Sequence, residues 1–185
     1  METRVICAGF GGQGIMSMGR LIAYTGMQNG KEVSWLPSYG PEMRGGTANC
    51  HVTVGDEPIA SPVVSGTADA IIAMNLPSMR KFEAELHAEG VLLYNSSLIE
   101  EAPDREDVRI VPVPATDLAG EIGNTKVANM VILGAFLAIT GLFSRDQIVA
   151  ALQEVFGAGK DQFLPINTRA LERGFEIGAA AVQTA

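Results

Sequence analysis

Gly9-Phe10-Gly11-Gly12-Gln13-Gly14 follows directly on the apolar run Val5-Ile6-Cys7-Ala8. Clustered glycines between a strand and a helix bring bare backbone N–H groups to a helix N-terminus, where hydrogen bonding and the helix dipole both favour an anion. The spacing satisfies G-x-G-x-x-G in the strand, turn and helix context that the motif requires. The chemistry implied is binding of a phosphate or carboxylate. The alternative is a turn whose glycines serve only a tight reversal and close helix packing. A dinucleotide site would also place Asp or Glu at the end of the second strand, to hold the ribose hydroxyls. Here Glu32-Val33-Ser34-Trp35-Leu36 ends in Pro37 and Ser38, with Glu32 at its beginning, so NAD is disfavoured.

A second chemical segment is Ser38-Tyr39-Gly40-Pro41-Glu42-Met43-Arg44-Gly45-Gly46-Thr47. Following the second strand, it should emerge near the glycine turn. It could offer the Arg44 guanidinium and backbone donors to a carboxylate or phosphate, with Gly45 and Gly46 allowing close approach. Read plainly, it is a Gly/Pro turn with a Glu42–Arg44 surface pair, which is worth little. The remaining polar residues read as structural. His51 lies in a strand pattern as a satisfied core or edge imidazole, and His87 closes a charged helix as an ordinary C-terminal cation. Ser96 and Ser97 lack the G-x-S-x-G surroundings of a nucleophile elbow. Asp104-Arg105-Glu106-Asp107 and Lys160-Asp161-Gln162 read as solvated turn and loop.

The elements that must position these segments alternate. Strands are predicted at Val5–Ala8, Val33–Leu36, Asn49–Val54, Ala70–Met74, Val91–Tyr94 and Arg109–Pro112. Helices are predicted around Ile15–Asn29, Pro77–Ala88, Thr116–Ile122, Val127–Thr140, Arg145–Phe156 and Asn167–Ala181. The order argues for one α/β domain over residues 1–185, a Rossmann-like three-layer α/β/α sandwich on a mostly parallel sheet. A hairpin of Asn49–Val54 with Ile59–Val64 around Gly55-Asp56-Glu57-Pro58 would make the sheet mixed. Ser144 with Gln147 forms a capping box, and Gly157 is expected to end that helix. Asn75 before Pro77, and Asn95-Ser96-Ser97, should mark the carboxyl edge of the sheet, where open α/β sheets place ligands. Between Ile15 and Asn29 the only charge is Arg20, and Val127–Thr140 has none, so both helices need cover from this chain or from another subunit.

Composition narrows the classes. With 47% hydrophobic residues, 185 residues can bury a sizeable core. Thirteen basic against 21 acidic residues, a net charge of −8, disfavour a nucleic-acid partner. Cys7 and Cys50, both in strand patterns, far apart in sequence and forming no C-x-x-C, do not build a zinc or iron–sulfur site and fit a reducing cytoplasm. No signal peptide is expected ahead of the first strand, and the longest apolar run, Met130–Ile139, is too short to span a bilayer.

Four spaced segments share a pattern: Gly9-x-Gly11-Gly12-Gln13-Gly14, Ser38-Tyr39-Gly40-Pro41-Glu42-x-Arg44-Gly45-Gly46, Asn129-Met130-x-x-Leu133-Gly134-Ala135 and Asn167-x-x-Ala170-Leu171-x-x-Gly174. Together, and over nearly the whole chain, they resemble the gamma subunit, or the equivalent fused domain, of the 2-oxoacid:ferredoxin (acceptor) oxidoreductases. The resemblance implies an accessory subunit of a cytoplasmic hetero-oligomer that decarboxylates a 2-oxoacid oxidatively, joins the acyl group to coenzyme A and passes electrons to ferredoxin. It implies that thiamine diphosphate, Mg2+ and the iron–sulfur clusters sit on sister alpha, beta and, where present, delta subunits. No catalytic residue or metal ligand is then expected on this chain, which should be inactive alone and able to homodimerise through faces meant for partners. Gly11, Gly12, Gln13, Gly14 and Arg44 are the candidates for contact with coenzyme A or a neighbouring carboxylate, and Tyr39, Glu42 and Arg44 for the interface. Whether the acid is pyruvate, 2-oxoglutarate, a branched-chain oxoacid or indolepyruvate would be decided on the sister chains. The competing readings are a stand-alone Rossmann-type NAD(P) or flavin oxidoreductase and a non-enzymatic anion-binding module.

Overall fold

Burial on both sides explains why the strands read as near-continuous apolar runs. In β1 (Glu2–Phe10), Val5 and Cys7 face one hydrophobic layer while Ile6 and Ala8 face another. The computed structural model describes residues 2–38 and 47–183. Among them, β2 (Glu32–Ser38), β3 (Thr47–Gly55), β4 (Ala68–Ala73), β5 (Leu86–Asn95) and β6 (Arg109–Val113) complete a sheet ordered β2-β3-β1-β4-β5-β6. β1, β4, β5 and β6 are parallel neighbours, whereas β3 runs antiparallel to both β1 and β2. The fold is therefore the expected α/β sandwich on a mixed sheet.

The mixing has a different origin from the predicted hairpin. Residues 56–67 form no strand. Pro58 and Pro62 withhold amide donors from any ladder, and the Val64 N–H is taken by His51 Nδ1 at 3.0 Å. It is β3 itself, reversed and inserted between β2 and β1, that breaks the parallel order.

The helices are α1 (Ile15–Gln28), α2 (Leu76–Phe82), α3 (Ala115–Ile122), α4 (Ala128–Thr140), α5 (Arg145–Lys160) and α6 (Leu164–Gln183). All but α2 lie on the face toward which Val5 and Cys7 point; the opposite face is closed by α2 with Val64 and Ile99. α4 is buried from Ala128 through Leu137 because α6 covers it. The two helices touch backbone to backbone: a Cβ on Gly134 would stand 2.2 Å from Leu171 O, and one on Gly174 only 1.9 Å from Val131 O. α5 packs over α1, with Tyr24 Oη donating to Glu154 at 2.7 Å. Both charge-poor helices thus find cover within the chain.

Some boundaries differ from expectation. The helix predicted over Pro77–Ala88 ends at Phe82, followed by a 3-10 turn at Glu83–Glu85, because Leu86 already pairs with Ala68 in the sheet. His87 is therefore a strand residue, not a helix terminus. Gly157 does not stop α5, which runs to Lys160 and passes into a 3-10 turn at Asp161–Phe163. The capping box is formed: Ser144 N–H donates to Gln147 Oε1 at 2.8 Å and Gln147 N–H to Ser144 Oγ at 3.3 Å. Among the described residues no helix is long and apolar enough to cross a membrane.

Candidate functional site at the carboxyl edge of the sheet

The parallel strands β1, β4, β5 and β6 deliver their C-terminal ends to one edge, and the glycine turn leaves β1 there. Gly12 (φ 91) and Gly14 (φ 75) occupy the left-handed region, which lets the chain reverse from β1 into α1. Gly14 is the N-cap of α1 and offers no side chain to its first-turn amides, nor does that turn carry an acid. A helix start of this kind leaves its N–H groups and dipole to an external acceptor.

Two amides hold the turn in shape. Gln13 Oε1 accepts from Phe10 N–H at 2.7 Å and from Asn75 Nδ2 at 3.1 Å, while Gln13 Nε2 donates to Met74 O at 3.2 Å. Its backbone N–H donates to Phe10 O at 3.2 Å. The Gln13 side chain thereby ties the turn to the β4–α2 loop. Asn129, the one strongly polar residue of α4, is buried and donates from Nδ2 to Gly14 O at 3.2 Å. Beneath the edge, Asn75 Oδ1 caps α2 through Ser78 N–H at 2.9 Å, and Asn95 exchanges hydrogen bonds with Thr116. The asparagines at the strand ends thus mark this edge, as expected.

Beside Gly12 and Gln13 opens a cleft of about 230 Å³, lined also by Met74, Thr116, Thr125 and Lys126. A Cβ on Gly12 would meet nothing within 4 Å, so the turn faces open space. Lys126 brings a cationic residue to the wall of the same cleft. Sequence reasoning missed Lys126, Thr116 and Thr125, which sit about a hundred residues from the turn and carry no motif of their own. A second cleft, of about 190 Å³, lies at the opposite edge, where Lys31 is already paired with Asp56.

Tyr39, Glu42 and Arg44, with Gly45 and Gly46, lie outside the described residues. The strands flanking them end at the carboxyl edge, since Ser38 pairs with Asn49, Asn49 with Ala8, and Thr47 with Phe10. Glu32 aligns with Gly55 and Glu2 at the other edge. β3 also displaces the whole of β2 from β1 by a strand's width, so a ribose-binding acid has no place beside the glycine turn.

The other candidates are structural. Burial pulls His51 below the ordinary imidazole range, and its ring meets Phe82 edge-on at 6.4 Å. His87 is raised, chiefly by its bond from Nε2 to Asp69 Oδ1 at 2.9 Å. Arg105 pairs with Asp107 and also donates to the carbonyls of Glu83 and Leu86, pinning the turn. Among the described residues no three His, Cys, Asp or Glu side chains converge as metal ligands.

Fold and edge together define a Rossmann-like domain in which, among the described residues, no acid stands at the end of β2 and the glycine turn borders a shallow cleft. The chain belongs to the pyruvate ferredoxin/flavodoxin oxidoreductase family, whose model matches residues 4–177. It is 39% identical to the ketoisovalerate oxidoreductase subunit VorA of Methanothermobacter marburgensis over 94% of its own length, and spans 36% of that relative. It also superposes on the gamma subunit of a keto/oxoacid ferredoxin oxidoreductase from Geobacter sulfurreducens with a TM-score of 0.82 at 30% identity, covering 96% of this chain and 99% of that one. With the 2-oxoglutarate:ferredoxin oxidoreductase of Magnetococcus marinus, solved with 2-oxoglutarate, coenzyme A and succinyl-CoA bound, the TM-score is 0.86 at 26% identity, over 97% of this chain and 31% of that one. The gamma-subunit resemblance read from the four segments holds.

Proposed function

We propose that this chain is the gamma component of a multi-subunit, cytoplasmic 2-oxoacid:ferredoxin oxidoreductase, and that its carboxyl edge supplies donors to the coenzyme A side of that assembly. The uncapped start of α1 beside Lys126 carries this reading: amides, dipole and ammonium converge on one opening, the donor set that a phosphate needs. A volume of about 230 Å³ is below the roughly 300–1,000 Å³ of complete small-molecule sites, which suits a ligand whose other end rests on a sister subunit. Gly11, Gly12 and Gly14 would offer backbone, Lys126 and Arg44 charge, and Gln13 would position the turn. Tyr39 and Glu42 are assigned to the interface.

The described residues do not fit the other groups of the reaction. Two buried cysteines cannot ligate an iron–sulfur cluster, and no carboxylate cluster is present for Mg2+. Thiamine diphosphate, Mg2+ and the clusters would be held by alpha, beta and delta partners, with ferredoxin as the acceptor. A stand-alone NAD(P) enzyme is disfavoured by the inserted β3.

The test is coenzyme A binding to the assembled complex carrying Lys126→Ala or Arg44→Ala. Each lost charge-assisted contact should weaken binding about tenfold, roughly 1.4 kcal/mol. Unchanged affinity in both variants, with assembly intact, would remove this edge from the coenzyme A site.

A further inference from the structure

Cys7 and Cys50 are 43 positions apart in sequence but stand directly opposite each other in the β1–β3 ladder. Both thiols are free, fully buried, and on the same side of the sheet. Antiparallel partners have Cα atoms about 4.5 or 5.5 Å apart, depending on the type of pair, and either value falls within the roughly 4.4–6.8 Å that a disulfide spans. The Cα separation of the pair therefore meets one requirement of a disulfide as the strands already stand.

α1 seals the pair. A Cβ on Gly19 would stand 2.3 Å from Cys50 Sγ, and the Cys50 thiol donates to Ile15 O at 3.6 Å, in the first turn of the helix that opens from the glycine turn. The thiols are therefore reached only when α1 lifts, or from the β2 side, where Trp35 lies over Cys50 and is itself 37% exposed.

We propose that Cys7 and Cys50 are a redox modification site that closes reversibly to a cross-strand disulfide, with the seating of α1 controlling access. The oxidant is a low-molecular-weight disulfide. The Cys50 thiolate attacks one of its sulfurs, forming a mixed disulfide and expelling one thiolate. The Cys7 thiolate then attacks the Cys50 sulfur, forming the intramolecular bond and expelling the second. Two protein thiols lose two protons and two electrons, and the small disulfide is reduced to two thiols. Cys50 acts first because it is the thiol beside the half-exposed Trp35, whose indole N–H donates to its sulfur, whereas Cys7 lies deeper, on the central strand β1.

The natively folded protein, in the complex from which it is isolated, would be incubated with oxidised glutathione, quenched with an alkylating agent under denaturing conditions, and mapped by mass spectrometry without reduction. The expected product is a Cys7–Cys50 linked peptide, lighter by two hydrogens than its unlinked parts and restored by dithiothreitol. Cys7→Ala should stop at a glutathione adduct on Cys50, and Cys50→Ala should give no adduct on the native timescale. Full alkylation of both cysteines in the folded wild type, or a link that appears only once the chain is unfolded, overturns the proposal. So does a link between two copies of the chain in place of the internal one.

Discussion

Gly14 joins φ 75 to a space already filled by Asn129, whose Nδ2 lies 2.3 Å from where a Cβ would stand. Gly14→Ala should therefore cost about 1–3 kcal/mol, from the strained backbone and the displaced amide together, read as a lowered urea midpoint. The two histidines should pull stability in opposite directions with pH. The Asp69 carboxylate raises His87, so the fold gains from its protonation; that gain is complete below about pH 6.5 and disappears as pH rises through the raised folded value. Burial lowers His51, so its contribution is complete above about pH 6.5 and is lost as pH falls through the depressed folded value. Urea midpoints across this range should flatten on the alkaline side in His87→Gln and on the acid side in His51→Gln. At this scale the sequence showed where the turn lies and which residue types it holds. It did not show that Gln13 is spent inside the turn, because its partners Met74 and Asn75 arrive from another loop.

The contact between α4 and α6 is set by what Gly134, Gly174 and Gly178 lack. Gly174→Ala would drive a methyl into Val131 O, with the backbone of Ala135 and Gly134 at 2.9 Å behind it, so nothing flexible can yield. Its expected effect is a loss of about 2–4 kcal/mol or failure to fold, in denaturant titration. Gly120 is the control, exposed in α3 with only Thr125 Cγ2 at 3.8 Å. Gly120→Ala should stabilise by about 0.5–1 kcal/mol through helix propensity alone. All six strands and six helices were legible from periodicity and punctuation, since apolar runs, Asn75 with Pro77, and Ser144 with Gln147 carry their signals locally. What was hidden is pairing. β3 pairs with β1 on one side and β2 on the other, a long-range choice that no local pattern records, so the Cys7–Cys50 apposition stayed out of view. The first three residues of β5, Leu86–Ala88, read as helix because Glu89 sits at φ 70 and the ladder shifts register between Ala68 and Ala70, which erases the alternation a strand normally shows.

For the molecule as a whole, the proposed role places the reactive groups elsewhere. The purified chain alone should turn over no 2-oxoacid, and native complexes captured through it should contain thiamine diphosphate and iron, measured by cofactor extraction and metal analysis. Absence of both from captured material would leave the anion-binding module as the better account. The glycine turn, the cleft and the strand ends all sit on one edge, so a sister chain docking there would meet the glycine-turn amides and Lys126 at once. The burial of α4 has a further effect during synthesis. Its ten consecutive apolar-facing positions leave the ribosome well before their cover, because α6 is completed roughly forty residues later, about two to nine seconds at ordinary elongation rates. Through that interval the nascent polypeptide displays a greasy cylinder bare on its α6 side, so premature termination before Leu164 should be a route to aggregates.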